Sequence, residues 1–310
     1  MKKIKKPKAL LLFSGGLDSI LAAKILEKQG IRVTALALES YFFNVAEAKK
    51  SAKKNGLKIV TKNISGTHFG IVKNPRFGCG AGLNPCIDCH LLMVKTAKKF
   101  LKEKGFDFLA TGEVLGQRPL SQNKSALALI EKEAGMVGKI LRPLSARILP
   151  ETEMEKSGLA DREKLLGISG RSRKEQLKLA KKLKIKYFPA PAGGCILTDK
   201  EYSKKLEDLM NKAKKIGETD LALLRLGRHF WLDGIKIILG RNHGENLALK
   251  KMAESGDMII DPKTVPGPTA LVRGKVNKKN NDYVIGYVIQ LLQKYSKKSD
   301  GDFEIITNQK

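Results

Sequence analysis

The sequence predicts an α/β protein in two parts: a parallel sheet with helices on both faces, then a smaller α+β domain. Three observations predict it. Strand-like and helix-like segments alternate through the first half, as they do when a parallel sheet is built from crossover units. A glycine turn joins the first apolar run to the first amphipathic one. After about Gly217 the pattern changes to short β-like runs with little helix between them. A chain of 310 residues, 42% of them hydrophobic, is long enough for two domains with full cores. The expected boundaries are an α/β domain over 1–199, a linking helix over 200–218 and an α+β domain over 219–310.

Each element has its own signal. Residues 9–13, Ala-Leu-Leu-Leu-Phe, read as a buried strand, and residues 20–29 as an amphipathic helix. Residues 31–38 form a second buried strand. Residues 45–54 are helical and end at Asn55-Gly56, and 57–61 form a short strand. Residues 87–104 are helical and end at Gly105, and 106–111 are a strand. Residues 151–186 read as charged and helical. Ser172 is placed to cap a helix with Leu177, Ala180 and Leu183 on one face. In the last part 221–226, 229–232, 235–239, 258–261 and 269–273 are β-like. Asp233-Gly234 is a hairpin turn signal, and 283–295 is helical. No internal repeat is visible.

The most informative stretch is Ser14-Gly15-Gly16-Leu17-Asp18-Ser19, between the first strand and the first helix. Two glycines let the backbone turn tightly and turn out its N–H groups, and the helix adds the positive end of its dipole. Such a corner binds an anion. Ser14 and Ser19 offer hydroxyl donors. Asp18 repels a phosphate unless a divalent metal or a hydrogen-bonded turn intervenes. No lysine follows Gly16, so this is not a Walker loop. The hexapeptide resembles the PP-loop of the ATP pyrophosphatases, which split ATP into AMP and pyrophosphate. Ligands of such sheets collect at the carboxyl ends of strands, and Thr111-Gly112-Glu113 falls at the same rim.

Charge and cysteines narrow the chemistry. There are 59 Lys+Arg against 31 Asp+Glu, a net charge of +28 that is spread along the whole chain. That favours a large polyanion over a small acidic substrate. On the helix over 172–184, Arg173, Lys174 and Lys178, with Arg171 just before it, form either a phosphate-backbone contact or a solvated face. Met1 to Phe13 has lysines followed by leucines, but the apolar run is too short for a signal peptide or a membrane span, and the chain reads as cytoplasmic with no membrane partner. Of four cysteines, Cys79, Cys86 and Cys89 lie close together and Cys195 lies far along the chain, in a Gly193-Gly194-Cys195 loop. Cys86-Ile87-Asp88-Cys89 at a helix start suits a redox pair, a zinc site or an iron–sulfur cluster.

Taken in order, the PP-loop, Asn84-Pro85-Cys86-Ile87-Asp88-Cys89, Ala110-Thr111-Gly112, Leu141-Arg142-Pro143-Leu144 and the Gly-Gly-Cys loop resemble the tRNA thiolation enzymes, the 2-thiouridylases and 4-thiouridine synthases. The resemblance covers about residues 8–200. It implies ATP with Mg2+ at Ser14, Gly15, Gly16, Asp18, Ser19 and Gly112. It implies adenylation of a uridine carbonyl oxygen, loss of pyrophosphate, attack by sulfur and departure of AMP. Catalytic roles fall on Asp18, Cys89 and Cys195. Two cysteines either carry and resolve a persulfide or help to hold a [4Fe–4S] cluster, for which Cys86, Cys89 and Cys195 would be the ligands. The position of Cys86 is typically aspartate in the 2-thiouridylases, and a histidine often stands where this chain has Glu113, so the resemblance gives Glu113 no role. The implied partners are tRNA and a sulfur donor, sulfide or a persulfide carrier, with a homodimer compatible. A second resemblance covers the last hundred residues. Gly240-Arg241-Asn242, Glu245-Asn246, Val265-Pro266-Gly267-Pro268 and Val272-Arg273-Gly274 are similar to the RNA-binding domain of the NFACT proteins. Two other classes stay open: an AMP-forming ligase or amidotransferase with a structural zinc, and a non-catalytic RNA-binding adaptor.

Overall fold

A computed structural model of the chain describes residues 6–191, 195–296 and 302–307. Gly193 and Gly194 of the expected cysteine loop lie outside these described residues. The chain divides into two compact units, Met1–Asp199 and Lys200–Lys310.

The first unit runs β1 (Lys8–Leu12), α1 (Leu17–Lys28), β2 (Arg32–Glu39), α2 (Ala46–Lys54), β3 (Lys58–Asn63), α3 (Ser65–Lys73), α4 (Cys86–Lys104), β4 (Phe108–Thr111), α5 (Lys124–Ala134), β5 (Ile140–Leu141), α6 (Glu153–Lys156) and α7 (Lys174–Lys182). Its sheet has the order β3-β2-β1-β4-β5, and every pair is parallel. Alternation explains why β1 and β2 read as continuous apolar runs. Ala9, Leu11, Val33, Ala35 and Ala37 enter the core on one face, and Leu10, Leu36 and Leu38 enter the core on the other. Helix α1 covers the first face and α4 the second. The strand order reverses between β1 and β4. That makes a crevice at their carboxyl ends, where the chain places the glycine loop. The expected α/β fold with helices on both faces is the one observed.

Two local expectations are corrected. The stretch 151–186 is mostly turns, with α6 and α7 as its α-helices among the described residues. On α7 the inward residues are Gln176 and Ala180, with Leu179 and Leu183 packed against the core, whereas Leu177 is exposed. Hydrophobicity alone misplaces that face because a buried glutamine, Gln176, occupies its centre.

The second unit contains α8 (Lys200–Lys212), α9 (Glu218–Leu223), β6 (Arg228–Leu232), β7 (Ile235–Leu239), α10 (His243–Met252), β8 (Met258–Pro262), β9 (Ala270–Arg273), α11 (Asn281–Tyr295) and β10 (Phe303–Thr307). Its sheet has the order β10-β8-β9-β7-β6, and all its pairs are antiparallel. Residues 200–218, read as a linking helix, contain α8, whose Tyr202, Ser203, Leu206 and Leu209 are buried. Asp233 and Gly234 both have positive φ, 46° and 78°, as a tight turn from β6 to β7 requires. Residues 221–226, expected as β-like, fall on helix α9 and the turn after it; Asp220 accepts from the Gly217 N–H and fixes the start of α9. Helix α10 was not expected. Asn242 caps it by accepting from Glu245 N at 3.0 Å, and Asn246 ties it to the Gly267 carbonyl and the Thr269 N–H. The polar residues Gly240-Arg241-Asn242 and Glu245-Asn246 are therefore a helix start.

Candidate nucleotide and thiol site

The loop after β1 is held from three sides. Gly15 has φ +81°, and a Cβ there would stand 2.7 Å from Ala48 Cα of α2, so only glycine fits. Ser51 of α2, fully buried, donates to the Gly15 carbonyl at 2.8 Å. Gly112, just past β4, lies so close to α1 that a Cβ would come within 2.6 Å of Ser19 Cα. Gly112 thus seats the end of β4 against the loop. Among the described residues no side chain caps the amino end of α1, which leaves its dipole and N–H groups facing the crevice. Gly16 N donates to Ser14 Oγ at 3.3 Å. Ser19 turns its hydroxyl inward onto the Gly16 carbonyl at 2.8 Å, so the donor expected from it is used within the turn.

Asp18 is the charged centre of this corner. Gln117 Nε2 donates to its Oδ2 at 2.7 Å, and Gln176 of α7 donates in turn to Gln117 Oε1 at 3.3 Å. Its other oxygen, Oδ1, is buried with no hydrogen-bond partner among the described residues. Burial raises the Asp18 pKa above the usual carboxylate range, against the pull of Gln117 and of the nearby Arg173 and Arg118 guanidinium groups. An orphaned carboxylate oxygen beside an open helix amino end suits a divalent cation, which protein carboxylates hold in ones or twos together with substrate phosphates. Arg173 is half-buried beside Asp18, whereas Arg171, Lys174 and Lys178, read with it as either a phosphate-backbone contact or a solvated face, are exposed.

The thiols gather at the start of α4. Cys86 is half-buried, and Asn84 donates to its Sγ at 2.9 Å. Burial raises the Cys86 pKa, while Asn84 and Arg118 draw it back. Cys89 is pushed up to about 12 by burial first, and then by Cys195, Cys86 and Asp88 around it. Cys195, remote in sequence, lies close enough to Cys89 to act on its thiol, and Leu83 N donates to Leu197 O at 3.0 Å, which holds the two segments side by side. Cys79 is exposed, and no disulfide joins the four among the described residues.

Two bridges tie the thiols to the nucleotide loop. Arg118 is exposed and acts on both Asp18 and Cys86. His90, next to Cys89, has Nδ1 3.0 Å from Glu113 Oε1, one residue past Gly112. Glu113 belongs to a buried network: Arg142 Nε donates to it at 3.0 Å, Thr111 Oγ1 at 3.0 Å, and Arg142 also pairs with Glu131. Burial would raise Glu113, but Arg142 and His90 outweigh it and hold its pKa near about 2. Gln117 and Gln176 carry no sequence pattern that marks them.

Comparison with known proteins bears on both units. Residues 5–148 match the family model described as Thiamine biosynthesis protein (ThiI). Residues 227–309 match the model described as NFACT protein RNA binding domain. The resemblance drawn from the motifs is thus met on both segments. A probable tRNA sulfurtransferase of Finegoldia magna is 30% identical over 148 residues, covering 45% of this chain and 36% of that protein. The tRNA-specific 2-thiouridylase MnmA of Methylobacterium radiotolerans is 25% identical over 302 residues, covering 87% of this chain and 74% of that protein. The chain thus spans little more than a third of the first relative's length and about three quarters of the second's. A solved 4-thiouridine synthetase–RNA complex with bound ATP is 20% identical with a TM-score of 0.37, covering 58% of this chain and 52% of that one. Among the described residues no helix is long and apolar enough to cross a membrane.

Proposed function

We propose that the chain is a cytoplasmic, ATP-dependent tRNA uridine sulfurtransferase. The observation that carries this reading is the meeting of two chemistries across Arg118, with the anion-binding corner on one side and the gathered thiols on the other. The relatives named as tRNA sulfurtransferase and 2-thiouridylase support it, as does the basic excess of the chain.

In this reading the loop from Ser14 to Ser19 receives the phosphates of ATP, and Asp18, with its unpartnered carboxylate oxygen, would hold the magnesium ion that accompanies them. That ion would offset phosphate charge. Arg118 and Arg173 steady the departing pyrophosphate. The uridine carbonyl oxygen displaces pyrophosphate from the α-phosphorus. Cys195 carries a sulfane sulfur delivered by a persulfide donor. Its terminal sulfur attacks the activated carbon, and AMP leaves with the former carbonyl oxygen. Cys89 then attacks the Cys195 sulfur, and its proton passes to the ring nitrogen of the departing base, which lost one when the carbonyl oxygen was adenylated. The thiocarbonyl is released, and a Cys89–Cys195 disulfide remains for a thiol reductant. The described residues contain no group of three or more His, Cys, Asp and Glu placed to hold a metal ion, so the donor set does not fit a cluster there and no step runs through one.

The test incubates the full chain anaerobically with ATP, magnesium, sulfide or a persulfide donor, and bulk tRNA, followed by mass spectrometry of the nucleosides. With the persulfide donor, a thionucleoside that needs ATP and disappears in Asp18→Ala and Cys195→Ser is expected. Bound tRNA with no thionucleoside under either donor would overturn the reading.

A further inference from the structure

Four thiols meet at the start of α4, and the sulfur transfer set out above uses two of them. It leaves Cys89 and Cys195, both half-buried, joined as a disulfide. Cys86 and Cys79 lead outward from that pair. Cys86 stands one turn before Cys89 on α4, so the two side chains are neighbours, at a Cα separation that a disulfide spans. Cys79 is brought to the same turn by the chain on both sides of it. Phe77 N donates to Asp88 Oδ2 at 3.0 Å. Gly80 N and Cys86 N donate to one acceptor, the Asn84 carbonyl oxygen, at 2.9 and 3.0 Å. A loop tied at both ends in this way holds Cys79 beside the first turn of α4. Each thiol lies within range of the next: Cys79 of Cys86, Cys86 of Cys89, and Cys89 of Cys195. Cys79 alone of the four is exposed.

Cys86 has the surroundings of a thiol that exchanges. Asn84 Nδ2 donates to its Sγ at 2.9 Å, and that contact and the Arg118 charge favour its thiolate against the burial that opposes it. Thiolate character speeds both attack on a disulfide and departure from one. We propose that Cys86 and Cys79 carry the oxidation left by each turnover out of the crevice to the surface. The Cys86 thiolate attacks Cys89 Sγ; a Cys86–Cys89 disulfide forms, and Cys195 leaves as thiolate. Cys79 then attacks Cys86 Sγ; a Cys79–Cys86 disulfide forms, and Cys89 leaves, taking up the proton that Cys79 gave. A protein dithiol attacks the exposed Cys79 sulfur, and Cys86 leaves as the thiolate that Asn84 and Arg118 favour. The second thiol of the reductant closes its own disulfide and releases Cys79. In sum, two electrons and two protons pass from the dithiol to the Cys89–Cys195 disulfide, and all four thiols are restored. The proposal rests on the sulfur-transfer reading and adds to it the route by which the chain is reset.

The experiment oxidises the full chain with one equivalent of diamide, blocks the remaining thiols at acid pH and maps the linked peptides by mass spectrometry. A Cys79–Cys86 link is expected in the wild type, Cys86–Cys89 in Cys79→Ser and Cys89–Cys195 in Cys86→Ser. Thioredoxin, a protein dithiol, should reduce oxidised Cys79→Ser about tenfold more slowly than the wild type, whereas dithiothreitol, small enough to enter the crevice, should reduce both alike. The thiolation assay is then run in rounds, with spent chain treated with one reductant before fresh persulfide donor and ATP are added. The wild type should give a second round of thionucleoside after either reductant, and Cys79→Ser after dithiothreitol but not after thioredoxin. A wild-type link other than Cys79–Cys86, or a Cys79→Ser chain that thioredoxin resets as fast as the wild type, overturns the relay and leaves the sulfur transfer standing. A wild type that makes no thionucleoside in the first round overturns the sulfur-transfer reading, and the links and reduction rates still decide the relay.

Discussion

The two units bury charge in opposite ways. In the first, Arg142 is 5% exposed and closes on Glu113 and Glu131, with Thr111 and His90 filling the remaining positions on Glu113. In the second, Lys236 is buried as deeply and closes on nothing among the described residues. A closed cluster is scaffold: its members satisfy one another and ask for no ligand. An open one is a candidate site, because desolvating a charge without a partner costs several kcal/mol and persists only where something repays it. Asp18 falls in the open class, with one oxygen bonded to Gln117 and one left bare. Hence Glu113, for all its position at the rim of the sheet, is the residue that orients His90 and the end of β4, and Asp18 is the one left to meet a ligand.

The strongest way to break the contrast is to open the closed cluster. Arg142→Met leaves Glu113 and Glu131 buried without their cation. It should lower unfolding free energy by about 3–5 kcal/mol in a urea titration. A loss well under 1 kcal/mol would mean that the network is not closed. Acid provides a second reading of the same cluster. The Glu113 pKa falls from 4.5 to about 2 on folding. Its stabilisation is therefore fully present above pH 4.5 and is lost as pH falls toward about 2. The stability gap between wild type and Glu113→Gln should shrink across that window and stay constant above it.

Next in size is the contact that seats β4 on the nucleotide corner. Gly112→Ala places a methyl 2.6 Å from Ser19 Cα, where backbone must move. A cost of about 1–3 kcal/mol is expected, together with loss of the melting shift that ATP and magnesium give the wild type. If that shift survives, the approach of Gly112 to Ser19 does not shape the nucleotide corner.

Asp18→Asn sharpens the open side. It removes a carboxylate whose pKa burial raises from 3.8, so the ionised form is disfavoured by folding. The sign is opposite to that of Glu113. The Asp18 penalty is absent below pH 3.8 and grows as pH rises through the raised value. At neutral pH the ligand-free variant should melt at or above the wild-type temperature while losing its response to ATP with magnesium. A variant that melts lower and keeps the response would place Asp18 in the scaffold.

Much of this was legible before the structure, and the missing parts share a cause. Continuous apolar runs in 9–13 and 31–38 and the glycine at 15 mark β1, β2 and the corner, because burial on both faces and positive φ leave plain traces in residue type. The gathering of Cys195 with Cys86 and Cys89 was legible only through the resemblance to thiolation enzymes, since contacts across a hundred residues have no local signature. Gln176 and Gln117 were invisible: a buried glutamine looks like a surface one until its partner is known. Helix α10 was masked because its start is read as a glycine-rich turn, although Asn242 with Glu245 three residues later is a capping pattern.

The smallest effect concerns the start of α7, where a half-buried basic residue stands next to exposed ones. Arg173 is half-buried beside Asp18, whereas Lys174 and Lys178, one turn apart, are exposed. Replacing both lysines with glutamine should leave the melt unchanged, as surface substitutions away from packed features do. If they meet an RNA backbone, the slope of log affinity against log salt should fall by about 0.7–0.9 for each phosphate contact removed. An unchanged slope would make them a solvated face and confine the working charge of α7 to Arg173. The distinction is measurable because counterion release reports contacts with phosphate and is blind to a lysine that only keeps a helix in water.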